Sequence, residues 1–402
     1  MAASCLLWAT GLLQCVRQAV NPSERPVRIF VTDARLDRFP VYAAAVKERQ
    51  ALSPTIWLVT GDLFADRSLA ALTDGAAQLA LLNRAGVDAV VLTPDWLSFG
   101  LPRLNQMVSS TRFYALSASL LAATGSTLGH PFMVRKSGAA ALALTGIVLD
   151  SSDVLTRMAG VRYAAPDFAA SKALALMRQR ADFVGVMVEP RATGAAWGAD
   201  FTVNVSGTGS FSMMPSADSG LVNCYDVSAD AGRLMARTVD LGQSRPDSGL
   251  ARLFDSLKVA ADSIAGRSIV LPPGLEDAGR MADALTNGVL AQKLADGFLC
   301  DSLFVTDFRP PRDVGDLVGL LRDPGRLAIL AVAGDALAGW PKELVLRLGL
   351  SRTALSRGLT YRIATTVDYL QRNPQMAAAG FELSPRPFWT ICRDILESGQ
   401  VK

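Results

Sequence analysis

The sequence predicts an α/β protein with two domains. Short apolar runs that are typical of buried strands lie at 28–31, 55–59, 88–92, 140–144 and 183–188, and helical segments separate them. Hydrophobic residues make up 50% of the chain and charged residues 19%, which supplies a large core and excludes a disordered chain. With 402 residues the chain is long for a single core, so we expect two.

In the first half, each helix is predicted to follow a strand. Segment 41–50 follows the first apolar run, and segment 74–84 follows the second and ends before Gly86. Continuous apolar strands that alternate with helices indicate a sheet that is covered on both faces.

The composition becomes polar and turn-forming at 241–249, which predicts the connection between the domains. A helical segment at 250–264 follows this stretch. We therefore expect a first domain at 25–243, a connection at 244–270 and a second domain at 271–402. The second domain has helical segments at 283–295 and 389–397, and strand-like segments at 327–332 and 360–364.

Residues 1–24 differ from the rest of the chain and are predicted to form a signal peptide. Positions 2–16 carry no charge, which suits the apolar core of such a peptide, but they are too few to span a bilayer. The segment predicts export, to the periplasm or the cell envelope. A lipid anchor on Cys15 and a buried N-terminal helix are the alternatives, and the anchor is not favoured. No transmembrane span is expected in the mature chain.

The charge pattern gives no sign of a nucleic-acid partner. The net charge is +3, and the basic residues are dispersed along the chain instead of forming a patch. A mildly basic protein surface is the simpler interpretation.

The order of several short motifs resembles the 5'-nucleotidase and UDP-sugar hydrolase family. These motifs are YAAAVK at 42–47, GDLF at 61–64, YALSAS at 114–119, MADAL at 281–285 and YRIAT at 361–365. The resemblance implies a calcineurin-like metallophosphoesterase domain, which is a four-layer β-sandwich flanked by helices. It also implies a smaller α+β C-terminal domain, and metal-dependent hydrolysis of phosphoesters such as nucleotides.

The resemblance further implies a two-metal site built from several histidines and carboxylates. This chain cannot supply the histidines. The chain contains one histidine, His130, and it lies outside every family motif. The family's Asp-x-His reads DAR at 33–35, and its Asn-His-Glu reads PDW at 94–96. Its two later histidine motifs align with 189–194 and 205–208, which hold no histidine.

Three aspartates remain at or near the family's metal positions, namely Asp33, Asp62 and Asp95. They are interpreted as vestigial, because aspartates at strand ends commonly accept backbone hydrogen bonds. An ion pair of Arg35 with Asp33 or Asp62 is expected to fill the vacated position. The alternative is a carboxylate-only site in which the three aspartates hold a single Mg²⁺ or Ca²⁺; otherwise no cofactor is expected.

The nucleotide site that the resemblance implies is also incomplete. Arg309 matches an arginine of the family and Tyr369 matches an aromatic residue, but the second base-stacking ring has no counterpart. Both residues are therefore interpreted as vestigial framework positions. The tryptophans Trp96 and Trp197 are expected to fill space where metals and substrate lie in the family.

These observations predict a catalytically inactive relative that acts as an exported scaffold or binding protein, with a protein partner that the sequence does not identify. One alternative is a phosphoester hydrolase that uses the carboxylate-only metal site. The other is a small-ligand binding protein that uses the cleft between the domains.

Overall fold

A computed structural model describes most of the chain after the N-terminal segment. The described residues are 26–137, 140–149, 153–194, 197–206, 211–217, 220–228, 233–300, 303–304, 308–321, 323–338, 348, 356 and 358–398. The predicted signal peptide, Cys15 and part of the aligned 205–208 turn lie outside them.

Seventeen strands are described. They are β1 (Val27–Asp33), β2 (Thr55–Thr60), β3 (Ala89–Val91), β4 (Tyr114–Leu116), β5 (Leu120–Ala122), β6 (Met133–Ser137), β7 (Ala140–Val148), β8 (Val161–Tyr163), β9 (Phe183–Thr193), β10 (Phe201–Ser206), β11 (Phe211–Met213), β12 (Leu221–Ser228), β13 (Arg233–Asp240), β14 (Gly297–Leu299), β15 (Arg326–Ala333), β16 (Thr360–Thr366) and β17 (Glu382–Pro387). Five of them (β1, β2, β3, β7 and β9) coincide with the apolar runs predicted in the first half.

Eleven α-helices are described. They are α1 (Phe39–Gln50), α2 (Arg67–Thr73), α3 (Ala76–Ala85), α4 (Leu101–Ser110), α5 (Pro166–Met177), α6 (Ser248–Ala265), α7 (Ala278–Ala291), α8 (Val314–Leu320), α9 (Gly334–Ala338), α10 (Val367–Arg372) and α11 (Phe388–Ser398). Aspartates start three of the later helices, because their carboxylates accept the first free backbone N–H groups. The capping residues are Asp247, Asp277 and Asp313.

Two sheets pack face to face in the first half of the chain. The six-stranded sheet has the order β13-β12-β1-β2-β3-β4, in which β1 to β4 are parallel. The five-stranded sheet has the order β11-β10-β9-β7-β6 and contacts the first through β3, β4, β7 and β9. Helix α1 lies on the first sheet and α5 on the second, so the predicted four-layer sandwich is confirmed.

The second half forms a smaller α+β unit around a mixed sheet of order β14-β16-β15-β17. Its helices α7, α8 and α11 pack together with a buried apolar cluster. Helix α6 joins the two halves, since it contacts α1, α2 and α3 on one side and α8 on the other. In the described part of the chain, no helix is both long enough and apolar enough to cross a membrane.

The predicted single helix at 74–84 is wrong in its start. Asp74 and Gly75 have φ angles of 49° and 74°, which a helix interior does not allow, so α2 ends before them and α3 begins after them. The Asp-Gly dipeptide is a turn signal that favours this break.

Candidate functional site

The candidate site lies where the parallel strands of the first sheet end. Strand β1 ends at Asp33, Asp62 follows β2 by two residues, and Asp95 follows β3 within a short 3₁₀ helix, Pro94–Phe99. Parallel strands have their carboxyl ends at one edge of the sheet, so the fold directs all three aspartates to that edge.

The Asp33 carboxylate accepts a hydrogen bond from the first helix, α1. The Tyr42 hydroxyl donates to Asp33 Oδ1 at 3.0 Å. Burial, together with the nearby Asp33 carboxylate, raises the pKa of Tyr42, so the phenol remains a donor. Asp33 therefore anchors α1 to the end of β1.

The predicted ion pair of Arg35 with Asp33 or Asp62 is wrong. The Arg35 Nη2 atom lies 3.7 Å from Asp37 Oδ2, and both side chains are largely exposed. The chain enters a 3₁₀ helix, Leu36–Arg38, directly after Arg35, and the guanidinium pairs within that turn. An exposed pair of this kind contributes little to stability.

Asp62 is exposed and stabilises its own turn, because its Oδ1 accepts the Phe64 N–H at 2.8 Å. The preceding Gly61 has a φ of 93°, and its N–H donates to Glu189 Oε1 at 2.6 Å. This hydrogen bond joins the end of β2 in the first sheet to β9 in the second.

Glu189 is the main functional candidate that the sequence analysis missed. Its carboxyl group is buried at 6% exposure, and burial raises its pKa to about 7. Hydrogen bonds from Gly61 and Asn204 oppose this shift, and repulsion by Asp62 and Asp95 adds to it. The signal in the sequence was an acidic residue directly after the apolar run at 183–188, like the aspartate after β2.

Asp95 belongs to the same acidic group. Burial, followed by repulsion from Asp62 and Asp153, raises its pKa to about 6, and the nearby Arg67 opposes the shift. Carboxyl groups with such pKa values are partly protonated near neutral pH.

Trp96 and Trp197 do not fill a common space. Trp96 is 1% exposed, and its ring lies 5.4 Å from that of Phe64, which in turn contacts Phe99 at 4.7 Å. Trp197 lies beside α5, where its Nε1 donates to Asp167 Oδ1 at 2.7 Å. Trp96 thus fills the core beneath the turn after β3, whereas Trp197 packs on the second sheet.

The donor set does not fit the metal pair that the fold implies. Within the described ranges, no three histidine, cysteine, aspartate or glutamate side chains are arranged to hold a metal ion. The lone His130 packs against the ring of Tyr114 at 5.1 Å, and its backbone oxygen accepts from Ser117 N. Among the predicted trio, Asp62 and Asp95 interact electrostatically, and Asp33, which bonds to Tyr42, lines one cavity together with Asp62.

The two nucleotide-site candidates lie in different environments. Tyr369 is 3% exposed within α10 and packs in the core, where its ring cannot stack on a base. Arg309 is exposed on a connecting segment.

A cavity of about 120 Å³ lies between the two halves, next to the acidic group. Its walls carry charges of both signs, and both domains contribute to them. The charged lining residues are Asp62, Arg67, Asp74, Asp95, Asp323, Arg326 and Asp368.

Arg326 is a buried member of this set, with an exposed fraction of 8%. Its Nη1 donates to the Ser384 backbone oxygen at 3.0 Å, and its Nη2 lies 3.2 Å from Asp74 Oδ1. Asp74 also pairs with Arg103 at 3.2 Å. The Nε of Arg326 is buried and has no hydrogen-bond acceptor among the described residues.

Comparisons with known proteins identify this architecture through structure and not through sequence. The sequence matches no protein-family profile, and no curated protein matches it. Solved structures do match over nearly the whole chain. A Staphylococcus aureus protein described as a 5'-nucleotidase, in complex with alpha-ketoglutarate, has a TM-score of 0.57 at 13% identity, covering 94% of this chain and 98% of that one.

Two further structures give the same result. A 5'-nucleotidase precursor from Thermus thermophilus has a TM-score of 0.53 at 12% identity, covering 94% of this chain and 97% of that one. The NAD nucleotidase of Haemophilus influenzae has a TM-score of 0.52 at 12% identity, covering 93% and 96%. The chain therefore has the two-domain fold of the 5'-nucleotidases, and the predicted resemblance is confirmed at the level of the fold.

Proposed function

We propose that this chain is a non-catalytic binding protein on the 5'-nucleotidase fold, exported to the cell envelope, whose ligand occupies the cleft between the domains. The observation that carries the proposal is the hydrogen bond from Gly61 N to Glu189 Oε1. Glu189 begins the segment that aligns with one of the family's histidine motifs, and its carboxylate ties the two sheets together through this hydrogen bond.

The neighbouring positions support the same conclusion. Asp33 accepts the Tyr42 hydroxyl, Trp96 is packed beneath the turn after β3, and Arg35 pairs with Asp37 at the surface. A metal pair needs several free nitrogen and oxygen donors around each ion. Most donors at this edge of the sheet are instead used for internal contacts.

The cleft supports a binding role because it retains a cavity with charged walls. Ligand sites commonly lie between domains and present a few fixed polar groups on an otherwise apolar surface. Here Phe64, Phe99 and Leu155 supply apolar walls and the arginines and aspartates supply the polar groups. Export rests on the apolar segment at 2–16.

A phosphatase assay with purified protein tests the non-catalytic part of the proposal. AMP, UDP-glucose and bis(p-nitrophenyl) phosphate are offered with manganese, magnesium or calcium, and the release of phosphate, glucose 1-phosphate and nitrophenol, respectively, is followed. We expect no release above the protein-free rate. Manganese-dependent turnover that is lost in Asp62→Asn would overturn the proposal.

A hydrolase with an altered site is the second candidate, and one observation favours it. Asp95 and Glu189 have pKa values near 6 and 7, the range in which a carboxyl group serves well as a general acid or base. Turnover that falls at least about 100-fold in Asp95→Asn would establish this candidate. Turnover that is unchanged in Asp95→Asn would remove it.

A further inference from the structure

The cavity between the domains is too small to enclose a ligand of ordinary size. Its volume is about 120 Å³, whereas ligand sites generally measure about 300–1,000 Å³. A ligand of that size enters only if the two domains part locally. The contacts that join the domains around the cavity therefore decide where such an opening occurs.

A first set of contacts lies beside the chain connection. Arg326 pairs with Asp74 at 3.2 Å, and the Trp389 Nε1 atom donates to the Ala71 backbone oxygen at 3.1 Å. Ala71 belongs to α2, and Asp74 directly follows that helix. The connecting helix α6 packs against α2 in the first domain and against α8 in the second. Parting this set would therefore disturb the connection itself.

A second set of contacts is made by a short segment of the first domain, 153–159. The Arg157 Nη1 atom donates to the Pro374 backbone oxygen at 2.8 Å. The Ala159 N–H donates to the Phe381 backbone oxygen at 2.7 Å. The main packing partners of α6 are α1, α2, α3 and α8, so this set can part while the connection stays in place.

Segment 153–159 has a fixed local shape and borders the cavity. Asp153 Oδ1 accepts the Leu155 N–H at 2.8 Å, and the Thr156 hydroxyl donates to the Asp153 backbone oxygen at 2.7 Å. A turn that is held by its own side chains keeps its shape when a neighbour leaves. Leu155 lines the cavity, as does Val367 of the second domain. Release of the segment from the second domain would therefore widen the cavity.

Apolar contacts add to the hydrogen bonds of the second set. Met158 forms an isolated parallel bridge with Phe381, and both side chains are buried in the core cluster that the two domains share. Water reaches these side chains when the segment releases, which makes the released state a minor one.

We propose that segment 153–159 is a clasp: it holds the cleft closed, and a ligand reaches the cavity when the clasp releases from 374–381 while the contacts beside α6 stay in place. This proposal rests on the proposed binding function of the cleft and describes how that site is controlled. Three observations support it: the small volume of the closed cavity, the hydrogen bonds across the domains at a segment that borders it, and the place of the other contacts beside α6.

Hydrogen exchange resolved to single amides tests whether the clasp releases on its own. The Ala159 N–H bonds across the domains, whereas the Leu58 N–H lies in the buried strand β2 and exchanges on global unfolding. After correction for intrinsic rates, we expect Ala159 to exchange at least about 100-fold faster than Leu58. Equal exchange rates would mean that the clasp opens only when the protein unfolds, and they would overturn the proposal.

A pair of arginine variants tests the contact itself. Arg157→Ala removes the hydrogen bond to Pro374, so exchange at Ala159 should become about three- to tenfold faster. Arg312→Ala is the matched control, because Arg312 is exposed and pairs with Asp316 inside the second domain. Its exchange at Ala159 should equal that of the parent chain. An unchanged rate in Arg157→Ala, or the same increase in both variants, would contradict the clasp.

A thiol placed in the cavity tests whether the clasp controls access. Ser98 lines the cavity, and Ser98→Cys is a nearly isosteric change. The reaction of the introduced thiol with a maleimide is followed against the parent chain, which supplies the background from the native cysteines. Adding Arg157→Ala should accelerate this reaction by about the factor seen for Ala159 exchange, and adding Arg312→Ala should not. A reaction rate that Arg157→Ala leaves unchanged would refute control of access by the clasp.

The outcomes separate the clasp from the proposed function, because none of these measurements uses a phosphoester. Exchange of Ala159 as slow as that of Leu58 would refute the clasp and leave the non-catalytic binding function standing. Metal-dependent hydrolysis would refute that function, whereas the exchange rates would still decide the clasp.

Discussion

Replacing Glu189 with glutamine should make the protein more stable at alkaline pH. Burial raises the pKa of Glu189 from 4.5 to about 7. The folded state therefore binds this proton more tightly than the unfolded state does. The contribution of the protonated group is fully present below pH 4.5 and is lost as the pH rises through 7.

The size of the effect follows from the two pKa values. Each pKa unit corresponds to about 1.4 kcal/mol, so keeping a charged Glu189 above pH 7 costs about 3 kcal/mol. Glutamine has the same shape and carries no charge, and its side-chain oxygen can still accept the Gly61 N–H. Glu189→Gln is thus expected to add up to about 3 kcal/mol to the free energy of unfolding at about pH 8, and little at about pH 4.5.

Urea unfolding followed by tryptophan fluorescence at about pH 4.5, 6 and 8 measures this difference. Glu276→Gln, at an exposed position, is the control and should show no such pH dependence. A stability difference between Glu189→Gln and the parent chain that is the same at all three pH values would refute the reasoning.

Three further predictions concern the contacts around the site. Trp96→Ala should lower the free energy of unfolding by about 3–5 kcal/mol in urea, because it empties the core beside Phe64; a loss below about 1 kcal/mol would contradict that packing. Tyr42→Phe should cost about 1–2 kcal/mol in the same assay, because Asp33 loses its donor; an unchanged midpoint would contradict the contact. Asp74→Asn should lower the melting temperature, since the buried Arg326 loses its counter-charge, at a cost of about 1–3 kcal/mol; equal melting temperatures would contradict that role.

Five strands of the first half could be predicted from the sequence because burial on both faces leaves a continuous apolar run, whereas β13, whose residues are mostly exposed, has no such run and was not predicted. Each apolar run that predicts a strand in the first half overlaps a strand of the structure. Strand β2 (Thr55–Thr60), for example, extends the predicted segment 55–59 by one residue, Thr60. The start of α3 was predicted two residues too early and α2 was not predicted, because the turn signal of Asp74 and Gly75 was read as the beginning of a helix, whereas both residues have positive φ angles.

The candidate site was harder to predict because it depends on which partner each charged group finds. The sequence indicates that Asp62 and Asp95 follow neighbouring strands, and the structure brings them close enough to interact. It could not indicate that Arg35 turns away toward Asp37, which depends on the local 3₁₀ turn. Glu189 comes from the other sheet, and no local pattern reports a contact between residues 128 positions apart.

The titration of manganese into metal-free protein tests the central claim most directly. If the strand-end carboxylates are used for internal contacts, calorimetry should detect no binding with a Kd below about 1 mM. Two manganese ions bound per chain with micromolar affinity, and lost in Asp62→Asn, would contradict the account.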